Sequence, residues 1–231
     1  MTQKSINFQI LLSFILLVFV LIFFQVTDVD IYIQELFFNF NNMTWIWNRQ
    51  EPISEFLLYS GLKKSLIVFA LFILGILVIF WRKQIIKKYR FGLIVIVLSS
   101  IIVPFTIISL KNITNTPCPK NIEYFGGNYP DIKVFDSYPK DFVQYGKIRC
   151  WPAGHASGGF ALMSLFFLFK KRKNQILALG FAISLAWLMG LYKMAIGDHF
   201  LSHTIITMLI AWLEILLIAK FTKRKFFEKS T

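Results

Sequence analysis

Six long apolar stretches, separated by more polar segments, dominate the chain. They cover residues 8–24, 65–81, 91–110, 155–169, 175–192 and 199–219. A helix that crosses a bilayer needs roughly 20 predominantly apolar residues, with a usable range of about 17–25. The pattern therefore predicts an all-α integral membrane protein, a bundle of six transmembrane helices. The fourth stretch is short, and we expect it to continue into the following lysine cluster, whose side chains can snorkel to the interface.

Composition supports a membrane protein. Of the 231 residues, 56% are hydrophobic and 16% are charged, and 26 are Phe. A soluble domain of this length could not enclose so much apolar surface in one core. The chain shows no internal repeat and no low-complexity linker, so we expect one domain over residues 1–231.

The net charge of +13 is distributed unevenly between the connections. Acidic residues occur in the first and third connections. Basic residues follow the second, fourth and sixth apolar stretches, at Arg82, Lys83, Lys87, Lys88, Arg90, Lys170, Lys171, Arg172, Lys173, Lys220, Lys223, Arg224, Lys225 and Lys229. This alternation follows the positive-inside rule and predicts that both termini are cytoplasmic. We expect the basic loops to contact anionic lipid headgroups, and we expect no nucleic-acid partner.

Residues 111–150 form the one long aqueous segment, an extracytoplasmic loop between the third and fourth helices. Both cysteines, Cys118 and Cys150, fall in this loop. In an oxidising compartment such a pair usually forms a disulfide, which would tie the end of helix three to the start of helix four. Two unrelated thiols remain the alternative.

Two short segments carry candidate chemistry, and both lie where an apolar helix meets the extracytoplasmic face. One is Pro152-Ala153-Gly154-His155, and the other is Lys193-x5-His199-x3-His203. His155 and His199 each follow a glycine-containing turn and begin a helix. Helix N-termini and cationic side chains attract a phosphate dianion, and imidazoles supply a nucleophile and an acid. The segments therefore predict a site for a phosphate ester.

These residues resemble the type 2 phosphatidic acid phosphatases, a family related to the vanadium haloperoxidases. The motifs of that family are Lys-x6-Arg-Pro, Pro-Ser-Gly-His and Ser-Arg-x5-His-x3-Asp. Here Lys111-x6-Cys118-Pro119 aligns with the first motif, and the two segments above align with the second and third. The likeness covers residues 111–203 and is greatest to a bacterial subgroup.

The resemblance implies a role for each matching residue. His199 would be the nucleophile that forms a phosphohistidine, and His155 the acid that protonates the leaving oxygen. Lys111, Lys193 and the backbone at Gly154 would hold the phosphate. Cys118 and His203 depart from the family pattern, because they stand where the motifs have a phosphate-binding arginine and an aspartate that orients the nucleophile. His203 would then accept the hydrogen bond from His199, without a negative charge.

Two loop cations, Arg149 and Lys120, are candidates to replace the missing arginine. Asp198 is interpreted as a cap for the sixth helix rather than as a catalytic group. We expect no metal and no cofactor at this site.

The predicted function is a lipid phosphatase at the periplasmic face of a bacterial inner membrane. Candidate substrates are lipid A phosphate, undecaprenyl pyrophosphate and phosphatidyl-type lipids. Two alternatives remain open. One is a catalytically degenerate protein that binds phospholipid. The other is a zinc-dependent hydrolase using His199 and His203, which have the i, i+4 spacing of zinc ligands, with His155 or Asp198 completing the set.

Overall fold

The computed structural model describes residues 2–226, a predominantly helical chain. Lys229, one of the predicted basic residues, lies outside this range. The regular elements are α1 (Gln3–Val26), α2 (Val29–Glu35), β1 (Phe38–Asn39), β2 (Thr44–Trp45), α3 (Pro52–Glu55), α4 (Gly61–Ile79), α5 (Gln84–Ile113), α6 (Gly154–Ala161), α7 (Arg172–Ala195) and α8 (Leu201–Phe226). A π-helical turn, Phe56–Ser60, joins α3 to α4, and β1 and β2 form a short antiparallel hairpin.

Among residues 2–226, five helices are long and apolar enough to cross a membrane. They begin at Gln3, Pro52, Gln84, Arg172 and Leu201, and they contain 24 to 30 residues each. The chain is therefore a membrane protein, and these helices correspond to five of the six predicted apolar stretches, with bounds that differ by a few residues. The remaining stretch, the fourth (residues 155–169), corresponds to α6 followed by a 3₁₀ segment, Leu162–Phe167. Together these two pieces are shorter than a typical transmembrane helix.

Helix α8 lies at the centre of the bundle and packs against α1, α5 and α6. Half of the 18-residue apolar stretch of α8 is buried inside the protein. Only 11% of the corresponding stretches of α1 and of α3–α4 is buried. The exposed apolar side chains of those outer helices are the surface that a bilayer would cover.

Small residues bring the three helices of the site into close contact. A Cβ atom added at Gly159 would lie 2.9 Å from the backbone of Ala186, so α6 and α7 approach at this point. A Cβ atom at Gly190 would lie 2.6 Å from the Thr204 side chain, where α7 meets α8. Small residues at such crossings allow close backbone packing within a membrane. The start of α6 is thereby held beside the start of α8.

The ends of the helices form two groups at opposite faces of the bundle. Ile6, Lys88, Lys170 and Lys223 surround one cavity, so α1 and α5 begin where α8 ends. His203 at the other end of α8 is 20 residues from Lys223, about 30 Å at 1.5 Å per residue. That distance matches the thickness of a bilayer's hydrocarbon core. Both ends of the described chain therefore lie at the face opposite the histidines.

Candidate active site

The three histidines of the chain form one continuous row. His155 Nδ1 lies 2.9 Å from His199 Nε2, and His199 Nδ1 lies 3.3 Å from His203 Nδ1. His199 and His203 are 1% and 2% exposed, whereas His155 is partly accessible at the end of the row. His199 therefore has a neighbouring imidazole on each ring nitrogen, and only the His155 side leads outward.

The turn before α6 is fixed to the first turns of α8. Ala153 N donates hydrogen bonds to Thr207 Oγ1 at 2.9 Å and to His203 O at 3.3 Å. Thr207 Oγ1 in turn donates to His203 O at 2.7 Å. The backbone carbonyl oxygen of Trp151, two residues before Ala153, accepts a hydrogen bond from Thr114 Oγ1, just after α5. These bonds join α5, α6 and α8 at the row of histidines.

The turn between α7 and α8, which carries His199, is held by groups from distant parts of the chain. Gln34 Nε2 donates to Met194 O at 2.8 Å, Lys120 N to Gly197 O at 3.0 Å, and Trp47 N to Ala195 O at 3.4 Å. The last carbonyl groups of a helix have no partner within it, so these donors satisfy them. Gly197 has φ +74°, and the Trp45 ring occupies the space of its absent side chain. The position of His199 is thus set on several sides.

Both predicted phosphate-binding lysines lie beside the histidines. Lys111, in the last turn of α5, lies against Gly154: its Nζ would be 3.9 Å from a Cβ atom placed there. Lys193 is 6% exposed, and its Nζ lies 4.1 Å from the centre of the Tyr59 ring. Tyr59 also packs edge-on against His155, with ring centres 4.8 Å apart. The sequence motifs therefore meet in space around one short row of polar groups.

Asp198 is an acceptor for three cations and not a helix cap, which corrects the interpretation from sequence. Its Oδ1 lies 2.7 Å from Lys120 Nζ and 3.1 Å from Arg49 Nη1, and its Oδ2 lies 3.1 Å from Lys193 Nζ. Burial alone would raise the pKa of Asp198. The hydrogen bond from Lys120 and the charges of the three cations outweigh that effect and hold the pKa below its usual value. Asp198 is therefore ionised and organises the cations.

The residue that caps α8 is Asp30, from α2. Its Oδ1 accepts a hydrogen bond from Ser202 N at 2.8 Å, in the first turn of α8. Burial raises the pKa of this carboxyl group to about 6. The first connection between apolar stretches thus supplies the anchor that the sequence analysis assigned to Asp198.

Three further predicted residues of the loop, Arg149, Cys118 and Cys150, lie close to the site. Arg149 is exposed, and its Nη1 donates to Asn112 Oδ1 at 3.2 Å, next to Lys111 in sequence. Cys118 and Cys150 form a disulfide, with Cα atoms 5.2 Å apart, a normal separation for such a bond. Cys150 Sγ lies 3.5 Å from Asp198 O, and Cys150 N donates to Thr116 O. The disulfide therefore fixes the loop directly beside the histidines.

Arg49, Tyr59 and Asp30 are site residues that the sequence analysis missed. All three precede the first motif and belong to segments without a recognisable pattern. One signal was present: residues 28–62 contain several charged groups among aromatics, an unusual mixture for a segment that only crosses an interface. That mixture is consistent with a segment that packs over a polar site.

The zinc alternative lacks a converging set of ligands. Across residues 2–226, no group of three or more His, Cys, Asp or Glu side chains is arranged to hold a metal ion. His199 contacts its two neighbours through opposite ring nitrogens, so the three imidazoles do not point at one centre.

An apolar groove leads away from His155 between α4, α5 and α6. Its volume is about 490 Å³. Lys63, Tyr59 and Lys111 lie at its polar end together with His155. The remainder is lined mainly by hydrocarbon and small side chains of the three helices: Leu66, Ile67, Ala70, Leu71, Ile96, Ile101, Pro104, Ile108, Gly158, Ala161 and Leu162. The groove therefore joins a cationic end to an apolar channel along the membrane-facing helices.

The histidines and lysines of the three motifs thus lie together at one end of a bundle of membrane-type helices. The family model of the PAP2 superfamily matches residues 91–227, more than half of the chain. The protein therefore belongs to the PAP2 superfamily, whose members are phosphatases that often act on lipid phosphates. Searches of curated proteins and of solved structures found no significant match.

Proposed function

We propose that the protein hydrolyses a phosphate monoester or pyrophosphate of a membrane lipid, through a phosphohistidine formed on His199. The single observation that carries this proposal is the placement of His199. It lies between two imidazoles, and its neighbour His155 lines the polar end of an apolar groove together with Lys111. Family membership supports phosphatase chemistry in general, and the geometry supports these residues as its participants.

His203 would select the reactive tautomer of His199. In the tautomer of His203 that carries its proton on Nε2, Nδ1 is free to accept the proton of His199 Nδ1, 3.3 Å away. The lone pair of His199 Nε2 then points toward His155, on the accessible side of the row. This arrangement performs the orienting role of the family's aspartate with a neutral group.

In the first step, His199 Nε2 attacks phosphorus and a phosphorus–nitrogen bond forms. The phosphorus–oxygen bond to the lipid breaks, and His155 transfers its proton to the leaving oxygen. In the second step, water gives a proton to His155 and attacks the phosphohistidine, which releases phosphate and restores His199. The 2.9 Å contact between His155 and His199 leaves no space for phosphorus. Substrate binding would therefore separate these two rings.

The cations would hold the three non-bridging oxygens and stabilise the charge that they carry in the transition state. Lys193 and Lys111 are the nearest side chains, and the amide groups that begin α6 add donors. Asp198 forms ion pairs with Lys193, Lys120 and Arg49, which supports Lys120 and Arg49 as further cations that could compensate for the missing arginine. These contacts favour Lys120 and Arg49 over Arg149 as its replacement.

The groove supports a lipid as substrate. A volume of about 490 Å³ with mostly hydrocarbon walls accepts part of an acyl or prenyl chain while the phosphate remains at His155. The charge pattern of the connections favours an active site at the periplasmic face of a bacterial inner membrane. Lipid A phosphate, undecaprenyl pyrophosphate and phosphatidyl-type lipids all satisfy this description.

The missing motif residues favour one second candidate, a degenerate protein that binds phospholipid without hydrolysing it. Cys118 is occupied by a disulfide and supplies no charge, and His203 supplies none as a neutral imidazole.

The test is phosphate release from a panel of lipid phosphates by purified protein in detergent with a chelator present. We expect release by the parent protein and its loss in His199→Ala and His155→Ala. Tyr145→Ala, which changes a loop residue that is 96% exposed, serves as the matched control and should behave like the parent. Absence of release from every lipid would favour the degenerate binder. Activity that disappears with chelator and returns with zinc would favour the zinc hydrolase.

A further inference from the structure

Another cavity, distinct from the apolar groove, lies at the opposite face of the bundle, about 30 Å from the histidines along α8. Its volume is about 440 Å³, within the range of ligand-binding pockets. The beginnings of α1, α5 and α7, the end of α8 and the segment after α6 surround it. The proposed phosphatase mechanism uses none of these residues.

Three lysines from three separate parts of the chain reach this cavity: Lys88 of α5, Lys170 between the 3₁₀ segment and α7, and Lys223 of α8. No described carboxylate forms an ion pair with any of them. Lys88 Nζ and Lys170 Nζ both lie over the Tyr89 ring, at 5.8 and 5.6 Å from its centre. The three lysines line one cavity without an acidic partner, so an anion bound there would be attracted by all three charges.

The remaining walls of the cavity are mainly apolar: Ile6, Phe166, Phe167, Leu168 and Phe169 line it, and Gln175 adds one polar side chain. Gly92 allows the wall to form, because a Cβ atom there would lie 2.5 Å from Leu168 Cα. A cavity with lysines at its mouth and aromatic and aliphatic side chains behind them matches a molecule that is anionic at one end and apolar at the other.

We propose that this cavity binds the phosphate headgroup of an anionic membrane phospholipid at the face opposite the active site. The lysines contact the phosphate, and the first part of the acyl chains lies against the phenylalanines. Basic pockets between transmembrane helices are suited to anionic headgroups at the cytoplasmic surface, where anionic lipids are attracted by Lys and Arg. The lipid joins α1, α5 and α8 at one end and thereby stabilises the bundle.

The experiment measures binding of a fluorescent phosphatidylglycerol and a fluorescent phosphatidylcholine to purified full-length protein in neutral detergent. The test variant is Lys88→Gln/Lys170→Gln/Lys223→Gln. The matched control is Arg82→Gln/Lys83→Gln/Lys173→Gln, which removes the same charge from exposed residues of the same basic connections, outside the cavity lining.

We expect the parent protein to bind phosphatidylglycerol at least about tenfold more tightly than phosphatidylcholine, since each lysine near a phosphate contributes several-fold. The cavity variant should lose that preference and its thermal stabilisation by phosphatidylglycerol, and the control should keep both. Equal loss in the two variants, or no preference in the parent, would overturn the proposal. Displacement of the lipid by low millimolar inorganic phosphate would also overturn it, because the site would then take a soluble anion.

If the triple variant does not fold, Lys170→Glu tests the same site from a residue outside every helix. This change should weaken phosphatidylglycerol binding, whereas Lys173→Glu should not. Phosphatase activity in detergent is recorded for all variants as a separate measurement, so that failure of the lipid site and failure of the proposed reaction are distinguishable.

Discussion

The two parts of the chain on either side of residue 91 meet at one site and contribute different groups to it. The part that matches the PAP2 family, residues 91–227, carries the three histidines together with Lys111 and Lys193. The earlier part carries no family motif, yet it supplies Arg49 to the cation cluster, Tyr59 beside His155 and Asp30 at the start of α8.

The site residues of the two parts differ in how deeply they are buried as well as in residue type. Lys193 is almost fully enclosed, with 7% of its side chain exposed, whereas 55% of the Arg49 side chain is exposed. A charge is worth more in an enclosed site than at a solvated surface, where water screens it. We therefore infer that the later part supplies the reacting groups and that the earlier part adjusts and anchors them.

The largest effect on kcat/KM that tests this comparison is expected from two substitutions that each neutralise a cation bound to Asp198. Lys193→Gln should reduce kcat/KM about 10²–10³-fold, the usual consequence of losing one preorganised donor to a phosphoryl or oxyanion group. Arg49→Gln should reduce it less than about tenfold and mainly through KM. The measurement is steady-state phosphate release from a short-chain lipid phosphate. Equal losses in the two variants would show that both parts of the chain supply reacting groups.

The next effect concerns His203, where the chain departs from its family. His203→Leu should lower kcat about 10–100-fold, because His199 loses the partner that fixes its tautomer. His203→Asp restores the family residue and should retain more activity than His203→Leu. The pH profile of kcat distinguishes the two, since an orienting partner changes the profile and a packing residue does not. If Asp and Leu give the same activity and profile, His203 does not orient the nucleophile.

The last prediction concerns stability rather than activity, and it involves Asp30, the anchor from the earlier part. A carboxyl group whose pKa is raised to about 6 binds a proton more readily in the folded than in the unfolded state. Stability should therefore fall as pH rises from about 4 to about 6, by up to about 3 kcal/mol. Asp30→Asn keeps the acceptor for Ser202 N and should flatten this fall. Thermal unfolding in detergent at pH 4.5 and pH 7.5 measures it, and an unchanged pH dependence would contradict the assignment.

The helices were predictable from sequence because their signal is long and local. A long uninterrupted run of apolar residues is typical of a membrane-spanning helix. The predicted stretches 65–81 and 175–192 match α4 and α7 to within a few residues. Residues 155–169 were less predictable. Only Gly154–Ala161 is α-helical there, and the chain continues as a 3₁₀ segment through Phe167. An apolar run does not distinguish these two helical forms.

Within the site, the residues of the motifs were predictable and their electrostatic partners were not. His155, His199 and Lys193 belong to fixed spacings, so the sequence alone placed them together. Asp198 was interpreted as a cap because it precedes a helix, but it pairs with Lys193 and with Lys120 and Arg49, which lie far away in sequence. Contacts between segments without periodicity leave no local pattern.

The most direct test of the central claim is detection of a covalent phosphoryl group on His199. The His155→Ala variant is mixed rapidly with a lipid phosphate that has a good leaving group, then denatured at alkaline pH, digested and analysed by mass spectrometry. Since the proposed mechanism uses His155 as the base in the second step, its loss should allow the intermediate to accumulate. The account predicts one acid-labile phosphoryl group on the peptide that carries His199, and none in His155→Ala/His199→Ala. A phosphoryl group on another residue, or steady turnover by the parent protein with none in any variant, would contradict it.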